Sequence, residues 1–165
     1  MRYSEWISKV IQTGNLCGNY TDKVKNAKSK LQIIQIVLDA NGINFLCEMQ
    51  EKGMPLPYES ICKEFANYIN GKYIAEYKNE KGNGYTSSIY CCYDERDITI
   101  QTTLCCIMGG SHYIHIKEND FVKIYADKNT ELVITCPDSS RCIVETWGRV
   151  CVNGGNGRTE VISRG

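Results

Sequence analysis

The most regular feature of the chain is an alternation of apolar and polar positions that repeats in frames of ten residues: SHYIHIKEND, FVKIYADKNT, ELVITCPDSS and RCIVETWGRV. The fourth places hold Ile114, Ile124, Ile134 and Val144. The sixth hold Ile116, Ala126, Cys136 and Thr146, and the second His112, Val122, Leu132 and Cys142. A period of two places these residues on one face of successive short strands. The frames close with KEND, DKNT and PDSS, residues whose side chains bond their own backbone in turns. Each frame is therefore one strand and one turn. The spacing predicts a repetitive antiparallel β region, a sandwich or β-roll, and it is also the spacing of a β-solenoid.

The third and fifth places make a second ladder of Tyr113, His115, Lys123, Tyr125, Val133, Thr135, Ile143 and Glu145. Val133 and Ile143 are too apolar for a fully solvated face, so something is expected to cover part of it: N-terminal helices, a sister subunit, or a small ligand. Upstream, KYIAEYK, the turn KNEKGNG and YTSSIYCCY predict a hairpin. In YCCYDERDITIQTTLCC, the positions Ile89, Cys91, Tyr93, Ile98, Ile100, Thr102, Leu104 and Cys106 continue the alternation. Adjacent Cys91 and Cys92 then point to opposite faces and cannot share one tetrahedral zinc.

Residues 1–71 carry a helical period, and residues 72–165 the β repeat. Trp6, Ile7, Val10 and Ile11 form one stripe. In SKLQIIQIVLDANG, Ser29 is a candidate N-cap, Leu31, Ile34, Val37 and Leu38 form a face, and Asn41 with Gly42 reads as the stop. DANG lacks the later ligands of a calcium loop. INFLCEMQEKG is expected to end at Gly53, and PYESICKEFANYINGK to bury Ile61, Phe65 and Ile69 and close at Asn70 and Gly71. The fold class is thus α+β: an N-terminal helical cap followed by the β repeats, with oligomerisation expected to hide the strand edges.

Lysine plus arginine equals aspartate plus glutamate at 19 each, so there is no basic field for bulk nucleic-acid binding. MRYSEWISKVIQ does not read as a secretory signal, and no apolar run is long enough to cross a membrane, which together suggest a cytoplasmic protein. Ten cysteines in such a compartment read as free structural thiols, with metal binding and disulfides as the alternatives.

No catalytic signature stands out: there is no GxSxG, HExxH or P-loop, and KNEKGNG and GGNG read as turns. His112 and His115, three apart on a strand, face opposite ways. The reading is therefore a non-enzymatic protein with no cofactor and no metal. A nucleotide-like ligand would need aromatic faces for stacking and cations for phosphate. Tyr85, Tyr90, Arg96, Tyr113, His115, Lys123, Tyr125, Arg141, Trp147 and Arg149 supply those types as ligand or interface candidates. Tyrosine, at 11 residues, also suits subunit interfaces.

The stretches NGINFLCEMQEKGMPLPYES, FANYINGKYIAEY and GNGYTSSIYCCYD, followed by the ten-residue frames, resemble small proteins encoded by phages, prophages and mobile elements of gut Bacteroidales. That resemblance covers most of the chain and assigns no residue a role. It implies an anaerobic setting in which free thiols are harmless. The functions it suggests are a counter-defence factor in the host cytoplasm, sequestering a nucleotide-like signal or a host protein as a dimer or trimer, or alternatively a virion component such as a head fibre, spike or decoration protein trimerising through the β region.

Overall fold

The computed structural model describes residues 18–51, 58–154 and 158–165. The stripe of Trp6, Ile7, Val10 and Ile11 lies outside the described residues, as does Gly53. Among the described residues four short helices precede the strands: α1 (Gly18–Asn26), α2 (Lys30–Val37), α3 (Ala40–Glu51) and α4 (Tyr58–Glu64). Ser29 caps α2, accepting from the Gln32 amide at 3.2 Å. Asn41 and Gly42 are not its stop. The helix ends at Leu38, and both residues sit in the first turn of α3. Gly42 is there for proximity, since a side chain at that position would collide with the carbonyl oxygens of Ile36 and Val37. Beyond Glu64 the chain continues as turns in which Phe65 and Ile69 stay buried, closing at Asn70 (φ 57°) and Gly71 (φ 75°).

Ten strands follow: β1 (Ala75–Lys78), β2 (Gly84–Cys91), β3 (Arg96–Thr99), β4 (Leu104–Met108), β5 (Gly110–His115), β6 (Phe121–Ala126), β7 (Thr130–Thr135), β8 (Arg141–Thr146), β9 (Arg149–Val152) and β10 (Thr159–Ser163). The expected hairpin is β1–β2, antiparallel with Ala75 opposite Ser87. Every other pair among the described strands is parallel, which corrects the antiparallel expectation. The strands wind into a β-solenoid of roughly four coils with two sheets. One sheet has the order β1-β2-β4-β6-β8-β10 and faces the helices; the other, β3-β5-β7-β9, is the open sheet.

The physical reason for the correction lies in the corners. KEND and PDSS do not fold the chain back beside itself within a sheet; they carry it across the core into the opposite sheet. The neighbour of each strand is then one full coil away, so Ile114 pairs with Ile134, and Ile124 with Val144. Either architecture keeps the even places of each frame inward, so alternation cannot separate them. What marks the solenoid is corner-on-corner stacking. The Arg141 amide donates to the Asp120 carbonyl at 2.9 Å, the Asn119 amide to Ser139 Oγ at 3.2 Å, and Ser140 Oγ to the Lys117 carbonyl at 2.5 Å.

Two cores result. Inside the coils, Ile98, Ile100, Cys105, Ile107, Ile114, Val122, Ile124, Leu132, Ile134, Cys142 and Val144 are buried together. Between the helices and the cap-facing sheet, Ile33, Leu38, Ile43, Cys47, Ile61 and Phe65 pack on Ile89, Cys91, Leu104, Cys106, Met108 and Tyr125. Cys105 and Cys106 therefore do face opposite ways. The alternation expected to run unbroken from Ile89 to Cys106 is reset, however, because Ile98 and Ile100 point into the coils while Ile89, Cys91, Leu104 and Cys106 point at the helices. At the corner before β4 the inward positions change from even to odd, from Ile98 and Ile100 to Cys105 and Ile107. The corner before β4 is tied by Ser88 Oγ and Thr102 Oγ1 at 2.9 Å and by Thr102 Oγ1 donating to the Leu104 carbonyl at 2.7 Å.

Replacing Ile134, fully buried in the coil core, by Ala is expected to cost about 2–5 kcal/mol in urea unfolding. Val133→Ala, on the half-buried outer side of the same strand, should cost under about 1.5 kcal/mol. Equal losses would contradict the face assignment.

Candidate functional site

The ten residues singled out by type do not converge. Tyr113, His115 and Arg149 stand on the outer side of the open sheet. There His115 Nε2 is 3.1 Å from Asp97 Oδ1, and Arg149 is 3.4 Å from Glu131. Among the described residues nothing roofs that face: Tyr113 is 44% exposed, and Cys151 is exposed beside half-buried Val133. Lys123, Tyr125 and Trp147 lie on the cap-facing side. Arg141 opens β8, exposed and 3.7 Å from Glu160, and Arg96 opens β3, also exposed. Tyr90 packs against the coil core, and its hydroxyl approaches Gly71 so closely that a Cβ there would be 2.6 Å away. Burial, with a smaller contribution from Cys105, raises the Tyr90 pKa.

On the cap-facing sheet the charged centre is Glu145, whose side chain is 8% exposed. Lys123 Nζ sits 2.7 Å from its Oε1 and over the Tyr125 ring at 4.8 Å, while Arg164 meets Oε2 at 3.1 Å. Burial acts to raise the Glu145 pKa, but the two cations outweigh it and hold the carboxyl below its ordinary value. Both cations are satisfied here, so this is a fastening of the last coil, pairing β6 and β8 with the chain after β10.

A second buried centre lies at the short corners. The Asp127 carboxylate is fully buried. It accepts from the Tyr58 hydroxyl of α4, from the Gly109 amide at 3.2 Å, from the Asn129 amide at 3.2 Å and from Thr130 Oγ1 at 2.5 Å. Burial raises its pKa against the opposing pull of these donors. The IMGG stretch is a sharp corner, not a bulge within a strand, because Gly109 and Gly110 both take positive φ (77° and 79°). His112, buried inside the coil as its parity required, closes the corner with Nε2 at 2.7 Å from the Gly109 carbonyl. With every Asp127 oxygen engaged by the protein, this is a structural lock between α4 and the solenoid.

A concave surface lies elsewhere, where the helices meet the first hairpin. One cavity of about 370 Å³ is lined by Lys23, Gln32, Gln35, Asp39 and Tyr77. Another of about 390 Å³ is lined by Asp39, Tyr77, Lys78, Asn79, Asn83 and Tyr85. Asp39 and Tyr77 belong to both, so the two form adjoining halves of one groove. Tyr77 and Tyr85 project from β1 and β2 at paired positions and stack, with ring centroids 4.9 Å apart and planes at 20°. The Tyr77 hydroxyl donates to the Gln35 carbonyl. The Tyr85 hydroxyl accepts from the Ala40 amide at 3.1 Å and donates to Asp39 Oδ2 at 3.4 Å. Burial raises the Tyr85 pKa; the Ala40 bond opposes this and the Asp39 charge adds to it. The tyrosine hydroxyls thus anchor the pair to the helices, while the rings wall the groove.

Of the residues foreseen by type, only Tyr85 lines this groove. Asp39, Tyr77, Lys23 and Lys78 were missed. Tyr77 is an alternating residue of KYIAEYK, and its pairing with Tyr85 across a two-strand ladder was the available signal. Asp39 looked like part of a helix stop, and Asp127 like a turn residue; no local pattern indicates that Tyr58 reaches it. Among the described residues, no group of three or more His, Cys, Asp or Glu is placed to hold a metal, and no helix is long and apolar enough to cross a membrane. Comparison of the chain with protein-family models, curated proteins and solved structures finds no match.

The Glu145 pKa lies below its ordinary 4.5, so its ion pairs contribute stability that is present above that pH and is lost as pH falls through the lower folded-state value. Glu145→Gln should therefore lower the melting temperature at neutral pH and shrink the acid-side loss of stability. Melting curves from pH 7 down to about pH 3 measure this, and an unchanged pH profile would contradict the assignment.

Proposed function

We propose that the chain is a non-enzymatic binding protein of phage or mobile-element origin that acts in the cytoplasm of the host bacterium and sequesters a small nucleotide-like signal. The observation that carries this reading is the groove walled by the stacked Tyr77–Tyr85 pair. Its two halves fall in the size range of small-molecule sites. An aromatic wall accepts the face of a base. Lys23 and Lys78, at opposite ends of the groove, suit phosphates, and Asp39 between them suits an exocyclic amine or a ribose hydroxyl. Oligomerisation through the β half belongs to the same proposal. Among the described strands, the last of each sheet, β9 and β10, has a partner on one side only, and Val152 and Val161 stand 41% and 42% exposed at that end.

Thermal melting with a panel of cyclic dinucleotides and ADP-ribose derivatives is expected to single out one ligand. At about one hundred times its Kd, that ligand should raise the melting temperature by roughly 5–10 °C. Lys78→Glu, a change at an exposed strand end, should reduce the shift while leaving the unliganded melt unchanged. No shift with any member overturns the nucleotide reading.

A second reading, a virion component, is favoured by the solenoid itself, whose quasi-linear stack and unpaired final strands suit a projection built from several copies. Mass spectrometry of purified particles separates the two. Stoichiometric presence supports the virion part, and absence despite expression in infected cells removes it.

A further inference from the structure

Two pairs of thiols join the helices to the solenoid. Cys47 of α3 and Cys106 of β4 touch deep in the interface, where both are fully buried and closed to any reagent. The pair formed by Cys62 of α4 and Cys91 of β2 differs. Cys62 Sγ donates to the Cys91 carbonyl oxygen at 3.1 Å, and the two sulfurs are 3.9 Å apart, at van der Waals contact. Cys62 is only half-buried, whereas Cys91 is fully buried. The neighbouring Cys92 is turned away, donating to the Asp94 carbonyl at 3.6 Å. A half-buried cysteine thus has a fully buried one in sulfur contact, which is the arrangement of an attacking and a resolving thiol.

We propose that Cys62 and Cys91 are a reversible dithiol–disulfide pair that fastens α4 to the solenoid when the protein meets a low-molecular-weight disulfide. The Cys62 thiolate attacks one sulfur of, for example, oxidised glutathione. That disulfide breaks, the first glutathione leaves as a thiolate and takes up a proton, and Cys62 is held as a mixed disulfide. Cys91 then gives up its proton and attacks Cys62 Sγ, and the second glutathione is released. Two protein thiols are oxidised and one glutathione disulfide is reduced to two thiols. Burial and the surrounding thiols hold the Cys91 pKa well above its ordinary value, which makes it the second sulfur to react and not the first. The bridge closes a loop between residues 29 apart in sequence and spans the contact between the helical cap and the first coil. The proposal is independent of what the groove holds.

The test uses the full chain in its native state, incubated with oxidised glutathione, alkylated and mapped by mass spectrometry. Exposed Cys151 serves as the internal control for oxidant reactivity. The expected result is a peptide joining Cys62 to Cys91, reversed by dithiothreitol. A melting temperature higher by roughly 5–10 °C should accompany it, since cross-linking the unfolded chain removes loop entropy. Cys62→Ser should lose both the linked peptide and the gain in melting temperature while matching the reduced protein otherwise. The proposal is overturned if Cys151 takes glutathione while Cys62 and Cys91 remain alkylatable. It is also overturned if Cys62 stops at the mixed disulfide, or links to any other cysteine. If the serine variant does not fold, the map of the unsubstituted protein decides the question.

Discussion

After the first hairpin, each strand finds its backbone partners one coil away, and each interior side chain rests on its counterpart in the next coil. His112 lies beside Leu132, Ile114 beside Ile134, Val122 beside Cys142 and Ile124 beside Val144. Much of the molecule follows from this stacking. Parallel ladders are found where both faces are covered. The inner faces cover one another inside the coils, and the outer face of one sheet is roofed by α2, α3, α4 and the turns that follow. Among the described residues, none roofs the outer face of the other sheet. It holds charged pairs beside one aromatic and one half-buried valine, a composition between that of a core and that of a solvated surface.

The helices share a buried apolar core with the solenoid. Their attachment is chemically varied: apolar packing through Leu38, Ile43 and Phe65, a buried tyrosine-to-carboxylate bond at Asp127, and two sulfur contacts. The groove lies where α2 and the residues leading into α3 meet the hairpin β1–β2 at the anchored tyrosines. The rings bridge a junction that backbone pairing does not close.

The strand positions, the inward residues of every frame, the hairpin and the Ser29 cap were legible in the sequence because each depends on local period or local bonding. The sense of the sheets was not. A corner that reverses the chain and a corner that carries it across the core have the same composition, and what distinguishes them is pairing with the next coil, as Asp120 pairs with Arg141 and Asn119 with Ser139. The same limit hid the reset between Cys91 and Leu104, where one corner exchanges inside for outside. The groove was legible in kind, as tyrosine with lysine, and not in place. It is assembled from α1, α2, the start of α3 and two hairpin strands that no single period connects.

The corners at Asp120 and Ser140 are interchangeable in kind, each handing the chain to the other sheet with its inward positions in phase. A solenoid closed by such corners can lengthen or shorten beyond the roofed coils in units of one coil, each adding about 4.8 Å along the axis, without disturbing the hairpin at its start or the pattern of its final strands. The distance between those ends is thus an independently variable dimension. Relatives that differ by whole coils would hold the same groove at different distances from the same terminal edge, so the number of coils sets the length of the molecule independently of the groove.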